Sequence, residues 1–591
     1  MEKKTRQFNR LFLGIALFLL VSIAAFNVLT DPFNVFGDPI FRWFGYDFTQ
    51  NPRTAKITYL KTRGTSKKYK NFIVGASGAS SIPLDKLKAY TGKEYFNVFH
   101  YGADLYDTEK TVAYLLKNYP VESIIMPLAI PSATKYHENR QDLNYKLHPD
   151  VSGERKSTFY KDYLFANPRY GVDKIQGKAK DSYIPKDFDV FKEDGSYDKR
   201  VRDVEYMGSK EEYMKNLHFD IPKEKIPLAY ADEALGAIER IRNMCDKRHV
   251  PITFILTPMY AEQNARYDSK EVKDYVNRLS SIIDFWDFTG NALEEDPRFF
   301  YDPSHFRNAL GDMILDKIYK GEGNYGKWVS KGNVEEKAPE VPETLERSYY
   351  IFTFHHVAEG GDGLYTITPE CFEAFLQFLE ANHIQTVHFQ DLMDFVAGKG
   401  ELPEKFALIT FDDGYASNLE MAYPLLKKYR QVATIFPIGK TMGMDRYPNT
   451  DKPMKKHFTA EEAKAAKDVF EYGSHSYFFH QSYRLEGVKF RRNMGRLKGE
   501  KESDFIADFR ADDKKFKAVY KEFNDGAPYV FAYPQGVHDD LTEVLLTEEG
   551  YKVSVTSEEG KNYVVKYLPE TLRRLKRVNV SETVDLEQFV Q

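Results

Sequence analysis

The segment ALITFDDGYASN (Ala407–Asn418) ends an uninterrupted apolar run with two neighbouring acids and a Gly-Tyr pair. A short apolar run bounded by a glycine predicts a strand that is buried on both faces. Asp412 and Asp413 would then lie side by side at the carboxyl end of that strand, where their charges repel each other. Because clustered buried acids are destabilising without a counter-charge, the segment predicts a functional site at that edge of the sheet.

Two histidines farther along the chain, His475 and His480 in EYGSHSYFFHQSY, offer the missing partners. One carboxylate and two imidazoles form a three-ligand set for a divalent metal and leave positions open for water and substrate. A bound dication would offset the repulsion between the two acids, and the second acid would serve as general base. Either histidine alone is more often a surface or core residue, but the combination with Asp-Asp-Gly predicts a metal site.

TFDDGY and SHSYFFH together resemble the first motifs of the NodB-homology polysaccharide deacetylases, which remove N- or O-acetyl groups from glycans. The resemblance covers about Tyr349 to Val580 and implies a distorted (β/α) barrel with a divalent metal, usually zinc. It implies Asp412 as the catalytic base and Asp413, His475 and His480 as the metal ligands. The two histidines are five positions apart rather than the common four, which resembles the branch that deacetylates poly-N-acetylglucosamine of biofilm matrix.

A later segment departs from the family pattern. FAYPQGVHDD (Phe531–Asp540) corresponds to the family's Arg-x-Pro-Tyr-Gly-like segment, with Ala532 in place of the Arg that orients the base and Gln535 at the aromatic position. The resemblance still implies Tyr533 and Gln535 as substrate-binding or oxyanion residues, because a backbone N–H donor does not depend on its side chain.

LKRVNV (Leu575–Val580) lies where the family usually carries a general-acid histidine, and it contains none. Arg577 would serve there as an electrostatic group, although a guanidinium does not readily donate a proton. His538 is an alternative acid because it is close to the Pro-Gln-Gly turn, but a solvated loop histidine is the commoner occurrence. The metal motifs are therefore intact, whereas the group that protonates the leaving amine is left open.

The first half of the chain alternates strand patterns with helical ones. The strand patterns lie in NFIVGASGASSIPLDKL, YFNVFHYG, VESIIMPLAI and VPITFILTP. Helical patterns such as TEKTVAYLLKNY and ADEALGAIERIRNMCDKRH lie between them. This alternation predicts a three-layer α/β domain with a mainly parallel sheet.

Ser77 follows the first of these strands, which would place its hydroxyl at the carboxyl edge of the sheet. Asp302 and His305 in FFYDPSHFRNALGD supply an acid and a base three residues apart. The Ser…Asp-x-x-His order resembles the SGNH hydrolases, among them membrane-anchored proteins of the alginate O-acetylation and DltD type. The resemblance implies Ser77 as nucleophile, His305 as base, Asp302 as the orienting acid and Gly102 as an oxyanion donor. The Asn of that family's next motif is missing from SIIMPLAIPSATKY, so an acyltransferase-like enzyme and a degenerate binding module both stay open.

The N-terminus carries an apolar segment, Leu11–Leu29, after a stretch with four basic residues. At a rise of about 1.5 Å per residue its length is close to the hydrocarbon core of a bilayer, about 30 Å. The basic flank predicts a cytoplasmic tail and places everything after Thr30 outside. A cleaved signal peptide is the alternative, but its apolar core is usually shorter and no A-x-A site with a polar start follows. We therefore expect a single-pass protein of the cell membrane.

Composition narrows the class of partner. The formal net charge of −5 argues against nucleic acid, which would need a basic face. Cys245 and Cys371 are the only cysteines, too few for a disulfide scaffold or a thiolate metal site. The length of 591 residues is too great for one hydrophobic core.

The predicted organisation has four parts. These are a basic tail and anchor at 1–30, an SGNH-hydrolase-like domain at 31–320, a Gly-rich then acidic linker at 321–348 and a deacetylase domain at 349–591. The charged and weakly periodic stretch 178–225 is interpreted as an insertion or lid over the first domain.

These patterns favour a membrane-anchored, extracytoplasmic enzyme that edits acyl groups on an exopolysaccharide or wall glycan. The second domain would remove N-acetyl groups, and the first would transfer or hydrolyse O-acyl groups or bind the polymer. Exopolysaccharide synthesis or export machinery would be its protein partners. Two alternatives stay open: a polymer-binding export scaffold that has lost its chemistry, and a peptidoglycan deacetylase.

Overall fold

The structure is a computed structural model, and it describes residues 2–38, 51–64, 69–137, 142–178, 182–184, 191–216, 219, 221–323, 325–332, 345–360, 363–482, 484–485 and 487–589. The chain divides into two compact units. Unit 1 consists of 1–180, 185–199 and 217–341, and unit 2 consists of 181–184, 200–216 and 342–591. Within 178–225, the described parts of 181–184 and 200–216 belong to unit 2 and the other described parts belong to unit 1, so the prediction of one insertion or lid over the first domain is wrong in part.

Unit 1 contains eight strands among its described residues: β1 Asn71–Ile73, β2 Tyr95–Asn97, β3 Ser123–Leu128, β4 Ile252–Leu256, β5 Phe285–Asp287, β6 Phe300–Asp302, β7 His305–Phe306 and β8 Lys327–Val329. The helices from the N-terminus to the end of unit 1 are α1 Glu2–Thr30, α2 Pro52–Thr62, α3 Leu84–Thr91, α4 Leu105–Asn118, α5 Pro149–Ser152, α6 Lys156–Leu164, α7 Arg169–Lys178, α8 Arg200–Asp203, α9 Lys210–Asn216, α10 Ala231–Lys247, α11 Ala261–Asn264, α12 Ser269–Ile282 and α13 Asn308–Lys320. Of these helices, α8 and α9 belong to unit 2.

The main sheet of unit 1 has the order β2-β1-β3-β4-β5-β8, with β1 to β5 parallel and β8 antiparallel to β5. From β1 the chain goes to β2 at one edge of the sheet. It then crosses to β3 on the other side of β1 and continues through β4 to β5, toward the other edge. Right-handed crossovers therefore place α3 on one face and α4, α10 and α12 on the opposite face. The packing agrees with this three-layer arrangement, since α10 contacts α4 and α12 while α3 contacts α13.

The predicted linker at 321–348 is wrong in part. Lys327–Val329 forms the edge strand β8 of unit 1, and a strand of unit 2 already begins at Glu346. Residues 333–344 of this prediction lie outside the described residues. The Gly-rich composition of the stretch therefore did not exclude a short strand at the edge of the sheet, where pairing on one side suffices.

Helix α1 is the one helix, among the described residues, that is long and apolar enough to cross a membrane, a property that a signal sequence shares. Its C-terminal end is held by unit 1. The Asn27 side chain donates to the carbonyls of Leu164 and Ala166, both at 2.9 Å. Just beyond the helix, Lys174 Nζ donates to the Asp31 carbonyl at 2.7 Å. The end of the apolar helix is thus part of the folded unit.

Unit 2 contains eleven strands among its described residues: β9 Glu346–Phe354, β10 His356–Val357, β11 Thr366–Ile367, β12 Gln385–Thr386, β13 Phe406–Asp413, β14 Ala433–Pro437, β15 Phe470–Tyr472, β16 Val530–Ala532, β17 Val553–Val555, β18 Asn562–Val565 and β19 Val578–Asn579. Its further helices are α14 Pro369–Ala381, α15 Phe389–Val396, α16 Tyr423–Lys428, α17 Ala460–Ala465, α18 Glu502–Phe523 and α19 Asp540–Glu548.

The strand pairings of unit 2 run around a ring. The path β15-β14-β13-β9 is continuous, and β19 pairs with the other side of β9. On the opposite side β16 pairs with β17. Single bridges, Ser474 to Phe531 and Val555 to Leu575, connect β15 to β16 and β17 to the segment that leads into β19.

β13 is buried on both faces, which explains its unbroken apolar sequence. Ala407, Ile409 and Phe411 pack in one core with the aromatic residues of α14, while Phe406 and Leu408 pack in another with residues of β16 and β17. Alternation along the strand continues past Leu408 through Thr410 and therefore aims Asp412 toward this second core, inside the ring.

Candidate metal centre and active site

The backbone bends at the end of β13, so the side chains of its two acids point in different directions. Asp413 has φ 70°, in the left-handed region, which Asp tolerates better than most residues. Gly414 follows with φ 87°, and a Cβ there would lie 2.9 Å from the Pro437 Cβ. The backbone turns away from the strand direction at Asp413, so its side chain no longer follows the alternation that aims Asp412 inward.

Asp413, His475 and His480 come together at this turn. The Nε2 atoms of His475 and His480 lie 3.7 and 3.4 Å from Asp413 Oδ1. One ligand atom from each residue lies within 4.8 Å of the others. The structure thus brings together the three residues that the sequence predicted as metal ligands, although they come from two strand ends more than 60 positions apart.

Hydrogen bonds to other atoms leave one potential metal-ligating atom of each of the three residues free. His475 Nδ1 donates to the Ala532 carbonyl at 2.8 Å, and His480 Nδ1 donates to the Arg492 carbonyl at 3.2 Å. A carbonyl only accepts, so each ring carries its proton on Nδ1 and presents Nε2 as a lone pair. The Tyr415 hydroxyl donates to Asp413 Oδ2 at 3.0 Å, which leaves Oδ1 for a ligand.

The residues fit a divalent ion. Asp413 Oδ1 is buried and has no hydrogen-bond partner among the described residues, a costly state that a cation would relieve. Burial lowers the pKa of His475 to about 4, so its imidazole is neutral near pH 7, as a ligand must be. Burial alone would raise the pKa of Asp413, but the neighbouring histidines outweigh it and hold that pKa below its usual value.

Asp412 is paired with Arg577 inside the ring. Arg577 Nη1 and Nη2 donate to Asp412 Oδ1 and Oδ2 at 2.7 and 2.8 Å, a two-pronged contact between side chains that are almost fully buried. Burial raises the pKa of Asp412, but the charge and hydrogen bonds of Arg577 outweigh it and hold the pKa well below the ordinary range. Asp412 is therefore ionised and fixed in one orientation.

This pairing corrects the expected place of Arg577. The sequence placed it at the protonation step, whereas the structure shows its guanidinium occupied by Asp412. Ala532, which stands where the family has a base-orienting Arg, contributes its carbonyl to His475 instead. The orienting guanidinium thus reaches Asp412 from the segment before β19, because that segment closes the ring beside β9.

The prediction of Tyr533 as a substrate-binding residue is wrong. Its side chain is fully buried, its hydroxyl donates to Glu543 at 2.9 Å, and its backbone N–H donates to the Val555 carbonyl at 3.1 Å. Neither group is available to a ligand. Gln535 is exposed with φ 56°, and its Oε1 accepts from Asn493 Nδ2 at 3.0 Å. His538 is half-buried, and its Nδ1 donates to the Gly536 carbonyl at 2.9 Å.

His355 is a functional candidate that the sequence reasoning missed. It follows directly after β9, and the register Phe354–Phe411 places it beside Asp412 on the neighbouring strand. Its charge, when present, lowers the pKa of both Asp412 and Asp413. His355 Nδ1 is buried without a hydrogen-bond partner in the described part of the chain. The His-His pair that ends the strand pattern YYIFTFHHV was the available signal.

Hydrogen bonds to Asp512 hold the backbone of the loop between the two histidine ligands. Asp512 on α18 accepts the backbone N–H groups of Tyr477 and Phe478 at 2.7 and 2.8 Å, one on each oxygen. Burial raises the pKa of Asp512 to about 7. The segment that carries His475 and His480 therefore has a defined backbone position independent of any bound ion.

The predicted residues of unit 1 also lie near one another. Ser77, Gly102 and His305 line a cavity of about 310 Å³ at the carboxyl ends of β1 and β3, where the strand order reverses. His305 Nδ1 lies 2.7 Å from Asp302 Oδ1. Gly102 has φ 57°. No hydrogen bond joins Ser77 to His305 in the part of the chain that the structure describes.

Comparison with known proteins agrees with the geometry of unit 2. Residues 399–554 match the family described as "Polysaccharide deacetylase". The C-terminal region of the chain is thus a NodB-homology polysaccharide deacetylase, a class of enzyme that hydrolyses C–N amide bonds. No comparable finding supports the SGNH resemblance of unit 1.

Individual relatives are similar over part of the chain. A "Putative polysaccharide deacetylase YxkH" of Bacillus subtilis is 27% identical over 41% of this chain and 72% of its own length. A "Poly-beta-1,6-N-acetyl-D-glucosamine N-deacetylase" of Staphylococcus aureus is 25% identical over 33% of this chain and 62% of its own length, so this chain spans less than two thirds of that relative. Among solved structures, IcaB from Ammonifex degensii is 24% identical over 40% of this chain and 92% of that chain, with a TM-score of 0.32.

Proposed function

We propose that unit 2 removes N-acetyl groups from an N-acetylhexosamine polysaccharide by metal-dependent hydrolysis, with poly-β-1,6-N-acetylglucosamine as the leading substrate. The observation that carries this proposal is the convergence of Asp413, His475 and His480 beside an oriented carboxylate, Asp412. The ring of strands described above would be the distorted (β/α) barrel of the NodB type. The name of the staphylococcal relative and the five-position spacing of the histidines support the choice of polymer.

Asp413 Oδ1 and the Nε2 atoms of His475 and His480 would hold the ion. Two imidazoles and one carboxylate suit zinc and leave coordination positions open. A divalent ion bound there would supply the positive charge that acidifies water and polarises the acetyl carbonyl.

The protein's own groups account for the proton movements. Asp412, held by Arg577, accepts the proton that the attacking water loses as it adds to the acetyl carbon. His355 lies on the neighbouring strand end and would donate a proton to the sugar nitrogen as the C–N bond breaks, releasing acetate and an amine. An Asp412 of low pKa is a weak base, so the reaction depends on a water that is already acidified.

The membrane anchor is proposed to stay attached. Cleavage before Asp31 would remove Asn27, which caps the carbonyls of Leu164 and Ala166 within unit 1. Each such buried carbonyl would need a new partner. This supports a single-pass protein with both units outside the membrane, where an exopolysaccharide is found.

For unit 1 we propose a serine-dependent activity on ester-linked acyl groups. The Asp302–His305 pair and the cavity shared with Ser77 support this proposal. Polymer binding without catalysis is the competing function, supported by the missing hydrogen bond between Ser77 and His305 in the described residues. Either role would suit a tethered pair, because joining two sites raises the effective concentration of each on one polymer.

The test uses the full chain in detergent, loaded with zinc and supplied with β-1,6-linked N-acetylglucosamine oligomers. We expect amine release that a chelator stops and zinc restores. Asp412→Asn should abolish release while zinc stays bound, because the base is lost and the ligands are kept. His383→Asn, an exposed residue at φ 56°, is the matched control and should behave as wild type. Bound zinc without amine release from any oligomer would instead favour the scaffold alternative.

A further inference from the structure

The metal cluster opens into a cavity of about 210 Å³ in unit 2. Asp413 and His480 line one part of it, and Thr441, Tyr447 and His457 from the segment between β14 and α17 line another. This segment is fastened to the end of β13. Ile438 N–H donates to the Asp413 carbonyl at 3.1 Å, and Ala416 N–H donates to the Lys456 carbonyl at 2.8 Å. The wall therefore has a fixed position relative to the proposed metal ligands.

His457 lines this cavity, and one of its two ring nitrogens is engaged in a hydrogen bond within the protein. The Thr441 hydroxyl donates to the Ile438 carbonyl at 3.1 Å, so its oxygen accepts from His457 Nδ1 at 2.8 Å. The proton of the imidazole is thus on Nδ1, and Nε2 is left as an acceptor. Only 5% of the residue is exposed, and burial disfavours the charged imidazolium. His457 Nε2 makes no hydrogen bond to any residue that the structure describes.

We infer that His457 is a specificity residue that accepts a hydrogen bond from a free ring hydroxyl of the N-acetylhexosamine unit being deacetylated. This inference deepens the proposed function and rests on it. Nε2 has no donor of its own among the described residues, so a ligand that supplies a donor is preferred over a ligand that does not.

The chemistry of the sugar narrows the donor to a hydroxyl. An N-acetylhexosamine unit offers hydroxyl groups and one amide N–H. The amide nitrogen must lie where the leaving amine receives its proton, on the His355 side of the site. The ring hydroxyls remain for His457, and a hydroxyl that is blocked as an ether has no proton to give. The inferred subsite therefore selects against units that are O-substituted at that position.

The experiment compares β-1,6-linked N-acetylglucosamine oligomers with the 3-deoxy and 4-deoxy forms, since positions 3 and 4 carry the free ring hydroxyls in this linkage. The measured quantity is kcat/KM for amine release by the zinc-loaded full chain. For wild type, we expect one of the two deoxy oligomers to lose activity on the order of 10-fold, the scale of one hydrogen bond to a buried acceptor.

His457→Asn keeps a donor for Thr441 near the Nδ1 position but removes the acceptor at Nε2. We expect it to lose on the order of 10-fold on the parent oligomer and nothing further on the deoxy form that wild type disfavours. Thr441→Val removes the hydrogen bond that keeps the proton on His457 Nδ1 and leaves Nε2 in place. It should reduce the same discrimination by a smaller factor. His383→Asn is the matched control with an unchanged profile.

Three results would overturn the inference. Equal deoxy penalties in wild type and His457→Asn would remove the subsite while leaving the proposed function standing. Loss of zinc from His457→Asn would place the residue in the metal site instead. Absence of amine release from wild type on all oligomers would remove both the proposed function and the subsite that rests on it.

Discussion

The acid–histidine clusters of the two units differ in how completely their surroundings fix them. In unit 2, the side chains of Asp413 and His475 are 12% and 2% exposed, and both histidine ligands are oriented by backbone carbonyls. In unit 1, the side chains of Asp302 and His305 are 38% and 26% exposed, and the imidazole is paired with the carboxylate. The carbonyl partners leave Nε2 of each histidine free for a ligand, and the Tyr415 hydroxyl on Oδ2 leaves Asp413 Oδ1 free. In unit 1, the carboxylate partner orients His305 as a base. The comparison indicates a site prepared for an ion in unit 2 and an oriented base in unit 1.

The largest expected effect tests the first half of this comparison. Asp413→Ala removes the ligand oxygen, so we expect zinc binding to be lost and amine release to fall on the order of 10³-fold or more. Metal content by elemental analysis and amine release on the same sample measure the two effects. Full metal content with wild-type activity would mean that the cluster is not the working site.

A second prediction concerns the buried pair Asp412–Arg577. Arg577→Met leaves Asp412 buried and uncompensated, which should lower the free energy of unfolding at pH 7 by about 3–5 kcal/mol. In wild type the pKa of Asp412 is depressed by folding, so its stabilising contribution is present above the unfolded pKa, about 3.9, and is lost as pH falls toward the folded value.

The deficit of Arg577→Met should therefore be greatest near neutral pH and shrink in acid, once Asp412 is protonated in the variant. Denaturant melts of unit 2 from pH 4 to 8 measure it. Arg577→Lys keeps the charge without the two-pronged contact, and it should recover stability better than activity. A deficit that is independent of pH would contradict the assignment.

A smaller effect is expected at Asp512, which fixes the loop between the histidine ligands. Asp512→Asn replaces one acceptor oxygen with a donor that faces a backbone N–H, so the loop should loosen and zinc affinity should fall on the order of 10-fold. Competition with a chromophoric chelator measures the affinity. Asp504→Asn, exposed on the same helix, is the control, and equal affinities in the two variants would show that the loop does not depend on Asp512.

The smallest effect on deacetylation is expected from unit 1, where Ser77→Ala should leave amine release within about twofold of wild type, because Ser77 belongs to the compact unit that does not carry the metal ligands. A fluorophosphonate probe should label Ser77, and His305→Gln should prevent the labelling because the base is lost. Labelling that is absent from folded wild type would favour the polymer-binding role for this unit.

Much of the arrangement was predictable because local pattern and function coincide at strand ends. The continuous apolar run before Asp412 predicted a buried strand, and the alternation of strand and helix patterns predicted the sheet of unit 1. Asp413, His475 and His480 could be grouped because metal ligands follow from residue type and motif. The ion itself, the substrate and the role of Ser77 stay predictions.

The partners that come from other strands could not be predicted. Nothing near Arg577 in the sequence indicates that closure of the strand ring brings it to Asp412. Ala532 indicated only that the family's base-orienting Arg is missing from its usual position. His355 lies next to Asp412 through the pairing of β9 with β13, a contact between residues 57 positions apart that the sequence does not display. The prediction for Tyr533 was wrong because its position in the motif does not indicate the direction of its side chain, which lies in the core.

X-ray absorption at the zinc edge of the purified, metal-loaded full chain tests the central claim most directly. We expect one zinc per chain with two imidazole nitrogens and at least one carboxylate oxygen at about 2.0–2.2 Å, and loss of the imidazole signal in a His475→Ala, His480→Ala double variant. A substoichiometric metal, a shell that contains sulfur from Cys245 or Cys371, or an unchanged spectrum in the double variant would contradict the account.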